Sequence, residues 1–308
     1  MLQALHQANY WYLLPALIFV FLSLWFRALR WAYFLRPIKR IRLKDLFASL
    51  MIGYMANNIF PAHLGELLRA YSIGRTAKVS GISALATIVV ERVLDVLTLL
   101  LLFAVALLFQ PFPDYVRHSG YVIFGVTVGA ILFLVALICR TETTLRLVSF
   151  CCRPFPQKLS GRLQDFFRSL LEGFLVLKQP RYYPVIMLTS ILVWGSYIII
   201  IQFTIFSFGL QHSHHLSWLA STVVLIMTGF SVAIPSSPGY VGTYHYFCMV
   251  GLGFYGVAAS LGFSFAVILH LLNFVPVIVG GLYYFWREHL TVHEAFAGQK
   301  SVDFIQAE

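Results

Sequence analysis

Charge is what this chain has least of. Of its 308 residues only 11 % are Asp, Glu, Lys or Arg, and only 12 positions are acidic, whereas soluble domains average about 25 % charged residues. So few charges cannot give a water-soluble surface to a chain that is 59 % hydrophobic, which excludes a soluble enzyme, a disordered segment and a fibrous chain. Cysteine is nearly as sparse. The four, at 139, 151, 152 and 248, have no metal-ligand spacing, and the adjacent pair Cys151 and Cys152 makes a poor disulfide. No metal and no structural disulfide is expected. The motifs H-E-x-x-H, C-x-x-C and G-x-S-x-G are missing, and Ser236 and Ser237 have no carboxylate near them in sequence. The sequence thus supports no catalytic residue and no cofactor. A basic n-region is also missing from the start (MLQALHQAN), so the first apolar stretch is expected to be a retained span rather than a secretory signal.

What the chain has in abundance is long apolar runs, with a mean hydropathy of +0.81. About 20 apolar residues cross a bilayer as a helix, and five stretches qualify: Tyr10 to Leu29, Ile82 to Phe109, Tyr121 to Cys139, Pro184 to Phe208 and Leu261 to Phe285. Two further regions, Leu46 to Phe60 and Trp218 to Ile234, are short and run into Pro/Gly-bearing breaks, each followed by a second short stretch (Leu64 to Ser80 and Tyr244 to Ala258). Interrupted segments at corresponding places in two halves are the sequence sign of broken or re-entrant helices that line a cavity. Two ordinary spans with a loop between them are the alternative. The expected fold class is an all-α polytopic membrane protein whose halves each carry such a hairpin, with an inverted repeat suggested by pattern alone.

The 22 basic residues give an orientation. Fourteen fall in two segments, Arg30 to Asp45 and Cys139 to Tyr183, while the 110–120 and 209–216 loops hold a single Arg between them. Basic loops stay inside, so the N-terminus is expected outside and the C-terminus in the cytoplasm, in the cell (inner) membrane. One translocator domain over 1–285 is expected: a first half at 1–139, a basic linker at 140–183 with an interfacial amphipathic helix (Leu163 to Leu177), and a second half at 184–285. Residues 286–308 form a cytoplasmic tail. The net charge of +10 then reports topology, and nucleic acid is not expected as a partner.

Three clusters of polar residues fall at membrane depth. In the first break, Pro61 and Gly65 bend the backbone beside Asn57, Asn58 and His63, while Glu66 and Arg69 stand three apart, close enough to pair on one helical face. An Arg forks onto phosphate oxygens and a Glu accepts from an amine, so this pair can hold a headgroup or merely cap a short helix. Glu91, Arg92 and Asp95 lie inside a long apolar helix, where three charges need interior partners. They read equally as a structural ion network and as substrate contacts. In the second break Pro235 and Pro238 interrupt the helix, Gly239 and Gly242 permit close backbone approach, and the amides up to Tyr244 are placed to receive an anion. His245, His270 and Asn273 are candidates to face the same cavity, the alternative being hydrogen-bonded packing residues.

Taken in order, N-N-I-F-P-A-H-L-G-E-L-L-R-A-Y (Asn57 to Tyr71), V-E-R-V-L-D (Val90 to Asp95) and I-P-S-S-P-G-Y-V-G-T-Y-H (Ile234 to His245) resemble the lysylphosphatidylglycerol synthase transmembrane-region family. This family includes the flippase part of the multiple peptide resistance factor. The resemblance spans nearly all of Leu13 to Phe285. It implies a lipid translocator working through a cavity lined by broken helices, and carries over Asn58, Pro61, Gly65, Glu66, Arg69, Glu91, Arg92, Asp95, Pro238, Gly239 and Gly242. His63 stands where relatives often have Arg, and His245 where many have Glu or Gln, so a lysine-bearing headgroup is not implied. The expected function is a flippase-like lipid translocase moving a phospholipid or glycolipid headgroup. An intramembrane transferase on a lipid-linked substrate and a secondary transporter of a small solute are the alternatives. Membrane lipids, and a second copy of the chain, are the expected partners.

Overall fold

Apolar runs this long can satisfy their backbone in lipid only as helices, and every regular element among the described residues of the computed structural model is helical. It describes residues 2–60, 64–110, 125, 128–129, 176, 178–233 and 237–289. Most of the expected span Tyr121 to Cys139, most of the 140–183 linker with its interfacial helix, the tail beyond residue 289, and Pro61, His63 and Pro235 lie outside the described residues.

A short α1 (Leu2–Gln7) precedes α2 (Leu13–Leu35), α3 (Leu43–Ile59), α4 (Leu64–Ala77) and α5 (Gly81–Phe109). After 178 come α6 (Tyr183–Ser207), α7 (Leu210–Ser213), α8 (Trp218–Ala233), α9 (Thr243–Gly253) and α10 (Ala259–Arg287). Local chemistry sets several starts. Pro184 sits in the first turn of α6, where its missing N–H costs nothing, and the Ser80 hydroxyl accepts the Ser83 amide 3.4 Å away at the head of α5. Among the described residues four helices are long and apolar enough to cross a membrane: Tyr10–Leu35, Gly81–Phe109, Pro180–Ser207 and Ala259–Arg287. The first continues past the expected end at Leu29, so Arg30 belongs to the helix rather than to the basic loop.

Contacts along the helices fix their directions. Tyr12 meets Phe206, Phe19 meets Phe203 and Arg27 meets Tyr197, so α2 and α6 run antiparallel. Arg30 with Glu91 and Trp31 with Thr87 make α5 antiparallel to α2 as well. The two short pairs are tight hairpins. In α3–α4, Ser49 pairs with Ser72, and Asn57 Oδ1 accepts the Gly65 amide at 2.8 Å. A Cβ on Gly53 would stand 2.6 Å from the Arg69 Cβ, and one on Gly65 would overlap the Gly53 carbonyl oxygen. In α8–α9, a Cβ on Gly251 would meet Met227 and Val224 at 3.3 Å. The order long helix, hairpin, long helix thus occurs twice, with antiparallel leading helices. Gly65→Ala is expected to force α3 and α4 apart at a cost of at least about 1–3 kcal/mol, read as a lower Tm in detergent.

At one end of the bundle, beyond the last turn of α10, Glu288 Oε2 accepts the Ser72 hydroxyl at 2.8 Å, which makes Ser49 the donor to Ser72. Burial pushes the Glu288 carboxyl above the ordinary carboxylate range and Asp45 adds to this, against the opposing Ser72 hydrogen bond and the Arg75 and Arg287 charges. The native state therefore holds this proton more tightly than the unfolded chain. Stability falls as pH rises from about 4.3 toward the raised native value. Glu288→Gln keeps an acceptor for Ser72 and is expected to flatten that part of the Tm-against-pH curve.

Candidate functional site

Arginine cannot shed its proton, so each Arg inside an apolar helix bundle demands a carboxylate or a ligand. Arg27 and Arg30, on one face of α2, are both buried, at 6 % and 0 % exposure. Arg27 Nη1 donates to Glu91 Oε1 at 3.2 Å and Asp95 Oδ2 at 2.9 Å, and Arg30 Nη2 to Glu91 Oε1 at 3.2 Å and Asp95 Oδ1 at 2.7 Å. From α4, Arg69 Nη2 donates to Glu91 Oε2 at 2.9 Å, while its guanidinium lies 3.8 Å from the centre of the Trp31 ring. The Trp31 indole N–H is in turn held by Thr87 Oγ1 at 2.9 Å. Every oxygen of Glu91 and Asp95 carries at least one guanidinium.

A second pair stands in front of this network. Arg92 Nε lies 2.6 Å from Glu66 Oε1, and Arg92 Nη1 reaches Asp95 Oδ2 only at 3.8 Å. Glu66 and Arg69 therefore do not pair with each other: at i and i+3 on α4 they are drawn to different positions of α5, Arg69 to Glu91 and Glu66 to Arg92. Nor does Arg92 bridge Glu91 and Asp95 closely.

Arg92 and Glu66 border a cavity of about 550 Å³ lined by α2, α3, α4, α5, α6, α8, α9 and α10 together with the second break. Of the candidates read from the sequence, Asn57, Asn58, Glu66, Arg92, Asp95, Tyr244 and Asn273 line it, and so does Tyr240. Arg69 and Glu91 do not; they are enclosed behind it. The cavity is polarised along the helices. On α2 the lining passes from Val20, Ser23 and Leu24 to Arg27, on α5 from Leu99 and Val96 to Asp95 and Arg92, and on α6 from Ile201 and Ile200 to Tyr197 and Trp194; Ser23 spends its hydroxyl on the Val20 carbonyl at 2.7 Å. Given the helix directions, these series align with an apolar layer at one end and the charged layer at the other, about 10 Å away at 1.5 Å per residue. The charged layer lies toward the basic Arg36 to Lys44 segment.

The two breaks meet at this cavity. Gly239 has φ +63°, which favours glycine, and a Cβ there would stand 3.1 Å from the Asn58 carbonyl oxygen and crowd the Phe274 ring. Gly242, at φ +92°, leads into α9. Its amide, expected to be offered to an anion, donates instead to His245 Nδ1 at 3.2 Å. His245 therefore carries its proton on Nε2, which faces His270 Nδ1 at 3.2 Å. His270 stacks on Tyr244 at 4.9 Å, and the two imidazoles pack among Phe263 and Phe274 rather than lining the cavity. They are hydrogen-bonded packing residues that fix the second break. Pro238 opens the short 3₁₀ turn Pro238–Tyr240, and Asn273 Nδ2 donates to the Leu269 carbonyl at 2.8 Å.

Sequence reasoning missed Arg27, Arg30, Tyr54 and Tyr197. The signal was present: Arg27 and Arg30 stand three apart and share a helical face, and Trp31 follows. Arg30 reads as a loop charge because the apolar run thins there. Gly251 to Gly256 (G-L-G-F-Y-G) matches a dinucleotide-binding spacing, yet it ends a helix and follows no strand, so the phosphate geometry of that motif is missing. Among the described residues no group of three or more His, Cys, Asp or Glu is placed to hold a metal.

The profile of the family described as "Lysylphosphatidylglycerol synthase TM region" matches residues 1–281. A "UPF0104 membrane protein" of Methanothermobacter thermautotrophicus is 26 % identical over 296 residues, covering 91 % of this chain and 86 % of that protein. Another, of Pyrococcus horikoshii, is 23 % identical over 300 residues, covering 90 % and 87 %. "Glycosyltransferase AglD" of Haloferax volcanii is 23 % identical over 286 residues, which are 83 % of this chain and 45 % of that protein. No solved structure matches.

Proposed function

Because the chain belongs to the lysylphosphatidylglycerol synthase transmembrane-region family, matched from residue 1 to 281, we propose that it is a lipid translocase. It takes the polar headgroup of a phospholipid or glycolipid into the cavity and passes it between leaflets. The observation that carries this reading is the polarised cavity: a charged layer from Arg27, Glu66, Arg92 and Asp95 faces an apolar layer from Val20, Leu24, Leu99 and Ile200. A soluble solute would not need the second layer, and an amphiphile uses both. A volume of about 550 Å³ lies within the roughly 300–1,000 Å³ of small-ligand sites.

In this mechanism the Arg92 fork and the Arg27 guanidinium screen the headgroup phosphate, lowering the several kcal/mol or more that a bare charge costs in hydrocarbon. Glu66 receives any hydroxyl or amine. Arg69 and Glu91 position the others without touching the lipid. The apolar layer houses hydrocarbon nearest the headgroup. The two triplets of long helix, hairpin and long helix are read as an inverted repeat whose rocking alternates access, with the N-terminus outside and the charged layer on the cytoplasmic side of the cell membrane.

The name of the Haloferax relative keeps a second reading open, transfer of a group to or from a lipid-linked substrate. It concerns a protein of which the matched part is 45 %. Reconstitution in liposomes with fluorescent lipids separates the two. The expected result is leaflet exchange of chemically unaltered lipid, lost in the Glu66→Ala/Arg92→Ala double variant. A new lipid in the mass spectrum, or exchange no faster than in empty liposomes, would overturn translocation.

A further inference from the structure

The charged groups of the cavity do not cancel. Four guanidiniums, of Arg27, Arg30, Arg69 and Arg92, meet three carboxylates, of Glu66, Glu91 and Asp95, through the ion pairs described above. Among the described residues no other Asp, Glu, Lys or Arg lines the cavity, and guanidiniums stay charged at any accessible pH. One positive charge is left in excess inside an apolar bundle, the setting in which an unbalanced charge is most expensive. The backbone does not supply the balance. Each break brings one helix C-terminus (Ile59, Ala233) and one helix N-terminus (Leu64, Thr243) toward the same region, and their dipoles oppose one another.

The excess can be located. All four oxygens of Glu91 and Asp95 are taken by Arg27, Arg30 and Arg69. Arg30 and Arg69 are sealed from the cavity. Arg92 is different: its side chain is 33 % exposed, its Nε faces Glu66, and its Nη1 has only the distant Asp95 carboxylate at 3.8 Å among the described residues. A guanidinium that borders a cavity and is held from one side by a single carboxylate can still fork onto phosphate oxygens. Beside it the Tyr54 ring centre lies 5.9 Å from Arg92 Cζ, and the buried Tyr54 hydroxyl has no hydrogen-bond partner among the described residues. A buried hydroxyl without a partner costs about 1–3 kcal/mol, so this one too is waiting for an acceptor.

Building on the translocase reading, we propose that the headgroup recognised here carries one net negative charge, a phosphodiester without a compensating amine, and that Arg92 is the residue that selects it. A zwitterionic headgroup can seat its phosphate on Arg92 and its ammonium on Glu66, but it leaves the excess charge standing. A cationic aminoacylated headgroup doubles it. Only a monoanion closes the balance. The same accounting gives the rule for variants: Glu66→Gln raises the excess to two and favours a phosphomonoester dianion, whereas Arg92→Gln abolishes the excess and with it the preference.

Native mass spectrometry of the detergent-solubilised protein, with phosphatidylglycerol, phosphatidylethanolamine and phosphatidic acid of equal chains, reads this directly. Leaflet exchange in liposomes is measured in parallel. The expected result is phosphatidylglycerol held at least tenfold tighter than phosphatidylethanolamine by the wild type, a preference kept in Arg92→Lys and lost in Arg92→Gln. Glu66→Gln is expected to turn the preference to phosphatidic acid. Competition by glycerophosphoglycerol, the soluble diester of the same charge, as strong as by the lipid would overturn the lipid assignment in favour of a soluble anion. Equal binding of the two diesters with exchange intact would overturn the charge selection and leave translocation standing. Tight, Arg92-dependent binding without exchange would do the reverse. A preference that survives Arg92→Gln would place the anion on the basic loops and overturn the proposal.

Discussion

Glu91→Ala is expected to cost about 3–5 kcal/mol of stability, the range for removing one partner of a buried ion pair. Its two oxygens hold Arg27, Arg30 and Arg69 at 2.9–3.2 Å from wholly inside the bundle. Without them Asp95 alone faces three enclosed guanidiniums that cannot deprotonate. Removing a cation should cost less. In Arg69→Met the remaining Arg27, Arg30 and Arg92 balance Glu66, Glu91 and Asp95, and the methionine keeps packing against Trp31 in place of the stacked guanidinium. The Glu91→Ala/Arg69→Met double variant should be more stable than Glu91→Ala alone, because one orphaned charge leaves with its partner. Thermal unfolding followed by tryptophan fluorescence in detergent checks all three. Equal losses for Glu91→Ala and Arg69→Met would contradict the charge accounting.

Filling the apolar layer should stop transport without unfolding the protein. Leu24 is 3 % exposed and lines the cavity, and Leu24→Trp projects an indole into space of about 550 Å³. Leaflet exchange is expected to fall at least tenfold while Tm stays within a few degrees. Leu225→Trp, from the opposite wall, should do the same. Ile18→Trp, on the outer face of α2 at 60 % exposure, should leave exchange unchanged. If both plugs leave exchange at the wild-type rate, the lipid does not pass through this cavity.

The fold was legible where a single helix carries its own signal. Long apolar runs marked α2, α5, α6 and α10 because lipid accepts a backbone only as a helix of that length, and the Pro/Gly breaks marked both hairpins. What escaped was pairing. Glu66 and Arg69 are near neighbours in sequence and were expected to bond, but α5 lies alongside α4 with Arg92 and Glu91 in reach, and tertiary distance decided the partners. Arg27 and Arg30 escaped because a basic residue near the end of an apolar run reads as a loop charge. Only the α2–α5 contact shows that both face inward. The histidines escaped in the other direction: polar residues near a break look like ligands, and here the Gly242 amide and the two rings satisfy one another.

An experimental map of the protein in nanodiscs of mixed phospholipids tests the central claim most directly. The account predicts one elongated density in the cavity, with its phosphate within about 3 Å of the Arg92 terminal nitrogens and its hydrocarbon running past Leu24 and Ile201. A cavity without lipid, with ordered lipid only on the outer face of the bundle, would contradict it.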